Sequence, residues 1–186
     1  ERGANYEHVY RHGIPKLIKE GKEYDAVVLC PQCPAEFVWD NIVKELKDLI
    51  DSVVLKFRLK NDRICITGSS MGGFGTWMMT LTYPNLFAAA APVCGGGMSW
   101  RAANLSTTPI KAYHGTADDM VPIIYSELMV EAVNRNGGAA ELICLENFGH
   151  NDAIDEAYRN TDLTDWLLSK RKTNRQDVSE FLSELF

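Results

Sequence analysis

The sequence is short of the features that mark several large functional classes. No apolar run reaches the ~20 residues a membrane-spanning helix needs, so no membrane span is expected. No stretch resembles a signal peptide, and the compartment (secreted, periplasmic or cytoplasmic) stays open. Positive charge is in deficit: 19 Lys and Arg against 25 Asp and Glu leave a net charge of -6. That balance argues against nucleic acid as a partner, because nucleic-acid binders gather a basic patch or stripe. The one basic cluster, residues 169–175, reads as a solvated helix end. Low-complexity runs and repeat periods are missing, which excludes disordered, collagen-like and solenoid architectures. Cysteine is sparse, with five in the chain; Cys30 and Cys33 form a C-x-x-C, but no second ligand pair completes a structural zinc site. The pair lies between prolines in a loop rather than at a helix start. It reads as small apolar residues, with a Cys30–Cys33 disulfide left open, while Cys65, Cys94 and Cys144 are expected as core residues inside strands. No metal or organic cofactor is implied.

What the sequence does have is an apolar content of 46% over 186 residues, enough for one domain with a substantial core. Short apolar runs alternate with longer helical patterns, the mark of βαβ units and a parallel sheet. Strands are expected over 26–30, 63–67, 88–93, 110–114 and 140–145. A helix is expected over 40–57, where Ile42, Val43, Leu46, Leu49, Ile50, Val53 and Val54 recur at helical spacing and Asp40 offers an N-cap. Further helices are expected over 71–82, 122–136 and 155–170, with Gly137 and Gly138 as a helix stop. Residues 176–186 read as a short amphipathic terminal helix, capped by Asp177 or Ser179.

The most informative stretch is "RICITGSSMGGFGTW", in which a predicted strand runs into a predicted helix through four glycines in eight residues. In the G-x-S-x-G pattern the middle residue, Ser70 and not Ser69, is lifted above the sheet on a tight strand–turn–helix. Gly68 and Gly72 are expected to relieve crowding on either side of it, and Gly73 and Gly75 to allow close helix–sheet packing. The helix N-terminus supplies partial positive charge, and the Met71 backbone N–H is a natural donor to an oxyanion. A phosphate-binding loop would need a Lys-Ser/Thr pair after the last glycine, and a dinucleotide site would need G-x-G-x-x-G; neither is present.

A serine needs a histidine to take its proton and a carboxylate to orient that histidine. "HGTADDMVP" follows the strand over 110–114 and carries Asp118 and Asp119; Asp118 is the expected acid, with Asp119 as the alternative. Four histidines compete for the base. His8 and His12 precede the serine, and His114 sits where its ring would brace the acid turn. His150 alone lies in a loop beyond the last strand, so it is the expected base.

These residues make the chain resemble the α/β-hydrolase superfamily, and within it the esterases grouped as predicted peptidases or polyhydroxybutyrate-depolymerase-like, near the feruloyl and acetyl-xylan esterases. The likeness rests on "ERG", "HGIPKLI", "PQCP" followed by Trp39, "GSSMGG", "GGG" before Trp100, "HGTADDMVP", "GH" at His150 and "WLLSKR". It implies an α/β-hydrolase fold, a mostly parallel sheet with helices on both faces, in a single catalytic domain over 1–186. It implies Ser70 as nucleophile, Asp118 as acid, His150 as base and Met71 as an oxyanion donor. It places Gln32 of the PQCP loop and Trp39 near the site mouth, and Trp39, Trp100 and Phe148 are candidates to line an acyl pocket. In such enzymes a strand and an HGxG-type loop precede the "ERG" stretch, so the expectation is an N-terminally incomplete sheet, with a gap between the strands over 26–30 and 63–67. The implied activity is a serine carboxylic-ester hydrolase acting on short-chain or aromatic, carbohydrate-linked esters. A prolyl-oligopeptidase-type peptidase and a non-catalytic hydrolase-fold binding module are the alternatives. A small-molecule or carbohydrate ester is the implied partner, and the oligomeric state is open.

Overall fold

Parallel neighbours cannot be joined by a tight hairpin; each pair needs a crossover, usually a helix packed on the sheet. The computed structural model describes residues 2–172 and has this arrangement. Among the described residues four strands, β1 (Cys65–Ser69), β2 (Ala89–Val93), β3 (Ile110–Gly115) and β4 (Ala140–Leu145), form an all-parallel sheet in the order β1-β2-β3-β4. The helices are α1 (Gly13–Lys19), α2 (Val43–Phe57), α3 (Met71–Thr82), α4 (Ile124–Arg135), α5 (His150–Asn160) and α6 (Leu163–Leu168). None is long and apolar enough to cross a membrane. The terminal helix expected over 176–186 lies outside the described residues.

Side chains alternate across a strand, and β2 divides its residues accordingly. Ala89, Ala91 and Val93 join Leu17 of α1, Ile154 and Tyr158 of α5 and Leu167 of α6 in one apolar cluster. Ala90 faces the other way, toward Trp77 and Leu81 of α3 and Met129 and Val133 of α4. The expected α/β architecture with helices on both faces therefore holds. Alanine is a weak strand former, but its small side chain lets helices approach β2 from both sides, and every β2 residue is buried. The β2–β3 ladder pairs Ala90 with Ile110 and Val93 with Tyr113, passing over Pro92, which has no N–H to offer.

Four expectations need correction. Residues 26–30 form no strand: a strand exists through its ladder, and among the described residues β1 pairs only with β2, so Val27 lies 52% exposed in irregular chain. Asp40 does not cap a helix; residues Trp39–Ile42 form a 3-10 turn in which the Asn41 side chain accepts the Val38 N–H, and α2 begins only at Val43. The helix expected over 155–170 is two helices, since the Asp162 carboxylate is drawn to Lys111 Nζ (2.8 Å) and the Tyr113 hydroxyl (2.9 Å) of β3 and turns the chain away. Cys144 is exposed rather than core, because β4 is an outer strand. Cys30 and Cys33 both carry free thiols.

Candidate active site

Loops diverge at the carboxyl ends of parallel strands, and the crevice there is where an open α/β sheet presents its chemistry. β1 ends at Ser69, which pairs with Val93 in the ladder, and the next residue leaves the strand. Ser70 sits at φ 55°, ψ -120°, a left-handed conformation outside the helical well, immediately before α3. Such backbone costs of order 1–3 kcal/mol and persists only when neighbours over-determine it. Here the Ser70 N–H donates to the Val93 carbonyl (2.9 Å) and its carbonyl accepts from the Phe74 N–H (3.0 Å). A Cβ on Gly68 would come within 2.4 Å of the Gly72 carbonyl oxygen, so the turn demands glycine before the serine. Gly72 itself has open space where its Cβ would be, contrary to the expectation that both flanking positions are crowded. Met71 opens α3, whose first-turn N–H groups have no acceptor within the helix.

The acid and base turns are laced together at the ends of β3 and β4. The Thr116 N–H donates to Leu145, the Ala117 N–H to Phe148, and the Asn147 N–H to the Thr116 hydroxyl. Asn147 takes a left-handed φ of 65° at this corner, which delivers Gly149 as the N-cap of α5. His150 is therefore the first residue of a helix rather than part of a free loop, and it is buried. Its Nδ1 lies 2.6 Å from Asp118 Oδ2. The other carboxylate oxygen, Oδ1, accepts the Met120 N–H (3.0 Å) and the Val121 N–H (2.8 Å). Burial would raise the Asp118 pKa, but the Val121 N–H, His150 and the Met120 N–H together hold it below the usual carboxylate range. Asp119 is exposed and stands apart from this pair.

The three candidates thus follow the ends of β1, β3 and β4. Cys94, after β2, has a left-handed φ of 47°, and its thiol lies 4.0 Å from the His150 carbonyl, between the Ser70 turn and the Asp118–His150 pair. Burial pushes the Cys94 thiol up to about 12, which keeps it protonated beside the carboxylate. Asp118 and His150 are joined by a hydrogen bond; among the described residues none joins the Ser70 hydroxyl to His150. Hydrogen bonds of this kind commonly tighten only when substrate is bound.

Other predicted residues have other surroundings. Gln32 donates through Nε2 to the Asn5 carbonyl (2.9 Å), tying the PQCP loop to the N-terminal segment. Trp39 fills the notch left by Gly75, whose added Cβ would meet the Trp39 ring at 2.7 Å, so this glycine serves a tryptophan rather than the sheet. Trp100 stands 79% exposed in the turn over Ser99–Leu105. His8 contacts Asn5, and His12 precedes α1 as its N-cap. Sequence reasoning passed over the edge-to-face pair of Phe74 and Tyr125, with ring centroids 6.0 Å apart, one turn of α3 from Ser70. It also passed over Ser126, a buried hydroxyl on α4 that reaches His114. Phe74 follows the glycines directly, so its place beside the serine was readable; Tyr125 and Ser126 arrive from another element, and no local pattern marks them.

A family model described as phospholipase/carboxylesterase matches residues 24–158. The crystal structure of a thermostable esterase superposes with a TM-score of 0.77 at 25% identity, over 92% of this chain and 52% of that one. Poly(3-hydroxyalkanoate) depolymerase C of Paucimonas lemoignei is 39% identical over 51 residues, which are 27% of this chain and 12% of that protein. An acylaminoacyl peptidase of Pyrococcus horikoshii, 17% identical with a TM-score of 0.56 over 75% of this chain and 30% of that one, shares the fold. The chain spans about half the length of the esterase, at 52%, and a smaller part of the other two.

Proposed function

We propose the reaction of a serine carboxylic-ester hydrolase for this chain, which belongs to the phospholipase/carboxylesterase family of α/β-hydrolase esterases. The Ser70 hydroxyl gives its proton to His150 Nε2 as its oxygen attacks the ester carbonyl carbon. The carbonyl oxygen takes the negative charge, which the Met71 N–H and the positive end of α3 stabilise. Asp118 holds the imidazolium through Nδ1, and His150 then returns the proton to the departing alkoxide as the ester C–O bond breaks, leaving an acyl-Ser70. Water, deprotonated by His150, hydrolyses that intermediate and restores the serine.

The observation that carries this reading is the buried 2.6 Å contact between Asp118 Oδ2 and His150 Nδ1, at the same carboxyl end of the sheet as a serine in strained backbone. An aspartate that serves only to shape a turn has no need of a buried imidazole. The half-exposed Phe74–Tyr125 pair, with Phe74 one helical turn from the serine, supports short or aromatic acyl groups, including those carried on carbohydrate, because it offers aromatic surface for apolar or edge-to-face contact.

The test is covalent labelling with a fluorophosphonate, followed by turnover of p-nitrophenyl acetate and of a matched p-nitroanilide. Labelling that disappears in Ser70→Ala, with ester but not amide cleavage, is the expected result. A chain that neither labels nor hydrolyses esters overturns the reading, and amide cleavage at a comparable rate would turn it into a peptidase. A panel of acetyl, butyryl and feruloyl esters then ranks the acyl groups.

A further inference from the structure

A second imidazole besides His150 reaches the Asp118 carboxylate. His114 is the next-to-last residue of β3 and is fully buried, at 0% exposure. Its Nε2 lies 2.8 Å from the Val121 carbonyl oxygen and 3.4 Å from Asp118 Oδ2, the same oxygen that meets His150. Its Nδ1 lies 2.8 Å from the Ser126 hydroxyl on α4, and that hydroxyl is 2.8 Å from the Gly95 carbonyl after β2.

We propose that His114 is a positioning residue of this site, holding the Asp118 carboxylate at the same oxygen that His150 meets. The proposal rests on the ester-hydrolase reading above and adds to it a residue that never touches substrate.

Counting protons fixes what the ring does. Both oxygens facing Nε2 are acceptors, so Nε2 must carry the hydrogen; a lone pair there would oppose a carbonyl and a carboxylate in a dry interior. Ser126 has one hydroxyl hydrogen and two acceptors within reach, Nδ1 and the Gly95 carbonyl. Both are satisfied only if Nδ1 is protonated too, and burial, which holds His114 below the ordinary histidine range, works against that. The Nε2–H is therefore the constant of the network, whichever way the Ser126 hydroxyl turns.

That N–H positions the acid by two routes. Directly, it points positive charge at Oδ2. Indirectly, it fixes the carbonyl of Val121, whose own N–H donates to Oδ1 at 2.8 Å. Through Ser126 and Gly95 the ring is tied to α4 and to the segment after β2, so the carboxylate is braced against elements beyond its own turn. The other titratable groups around Asp118 are His150 and the Cys94 thiol. The potential ligand atoms of Cys94, His114 and Asp118 lie within 4.8 Å of one another. Both His114 nitrogens and both Asp118 oxygens there are already hydrogen-bonded within the protein, which suits a brace better than an open cation site.

Three variants of the full chain test the proposal. His114→Phe keeps a ring without donors, His114→Gln keeps an N–H near the Nε2 position, and Ser126→Ala removes the outer anchor. His114→Phe should lower kcat for p-nitrophenyl acetate by about 10²-fold, the scale of a misplaced catalytic group, with KM changed less than about twofold. His114→Gln should recover most of that loss, and Ser126→Ala should fall between Gln and Phe. The low-field proton resonance of His150 Nδ1–H should persist in Gln and be lost or move upfield in Phe. If Phe fails to fold, Gln and Ser126→Ala decide. A Ser126→Ala chain with unchanged kcat and an unchanged resonance overturns the proposal, and so does a Gln variant that loses the resonance. The resonance needs no turnover, so it judges the brace even if fluorophosphonate labelling fails and the ester-hydrolase reading falls.

Discussion

β2 and α2 are both rich in apolar side chains, yet they meet opposite fates. Every residue of β2 is buried, whereas α2 buries none fully and leaves Leu55 81% and Phe57 54% exposed. Near α2 in sequence, residues 26–30 expose Val27, Val28 and Leu29, and β1 shows intermediate burial along its whole length. The difference lies in neighbours rather than in composition. β2 has a strand on each side and helices on both faces, while α2 leans mainly on α3 and the turn over Trp39–Ile42 among the described residues. The Asp118–His150 pair belongs to the dry side of this divide. Ser70, just after β1, stands at its boundary, so the Asp118–His150 pair lies in the well-buried part of the molecule and the Ser70 turn lies nearest the looser flank.

The sharpest way to probe the dry side is to change its charge without changing its shape. Asp118→Asn should lower kcat for p-nitrophenyl acetate by about 10⁴-fold, the effect of orienting a base in the wrong tautomer. A loss below tenfold would mean that the pair is structural. The same variant tests stability against pH. The folded Asp118 pKa lies below the unfolded value of about 3.9, so its contribution is present above that pH and fades as pH falls through the folded value. Urea midpoints measured from pH 6 to pH 3 should therefore decline less steeply in Asp118→Asn than in the parent chain.

Next in size is the core. Trp77 is fully buried between the sheet and α4, and Trp77→Ala should cost roughly 3–5 kcal/mol in urea unfolding. Gly115 tests the lacing of the Asp118 and His150 turns, because an added Cβ would sit 2.2 Å from the Phe148 carbonyl oxygen and 2.9 Å from the Ala153 side chain. Backbone cannot yield as a flexible side chain does, so Gly115→Ala should cost about 1–3 kcal/mol and lower kcat along with stability. A Gly115→Ala chain of parental stability would show the acid and base turns to be separable.

How much of this was readable beforehand follows the same divide. The strained turn at Ser70 and the positions of Asp118 and His150 after strands are local patterns at strand ends, and a strand that runs straight into a glycine-rich helix start has few conformations to choose from. The break between α5 and α6 was not readable, because Asp162 is recruited by Lys111 and Tyr113, about fifty residues earlier in the chain. The run over 26–30 has strand-like composition, but hydrogen bonding to a neighbour makes a strand, and composition carries no record of the neighbour. The nearness of His114 to the Asp118 turn was legible; its anchorage to Ser126 and Gly95 was not, since those contacts come from other elements.

The smallest expected effect is the one that most directly tests the comparison. Leu55 is as apolar as Leu81, but it is 81% exposed while Leu81 is fully buried. Transfer from water supplies stability only in proportion to the apolar area removed from it, so Leu55 has little to lose. Leu55→Ser should shift the unfolding free energy by less than about 0.5 kcal/mol, as surface substitutions do, apart from a small helix-propensity penalty. Leu81→Ala should cost roughly 2–5 kcal/mol in the same urea experiment. Hydrogen exchange should agree, with α2 amides opening well before those of β2 and β3. If Leu55→Ser instead costs as much as Leu81→Ala, then α2 is held in solution by contacts that its exposed face does not display, and the division into a dry half and a loose flank fails.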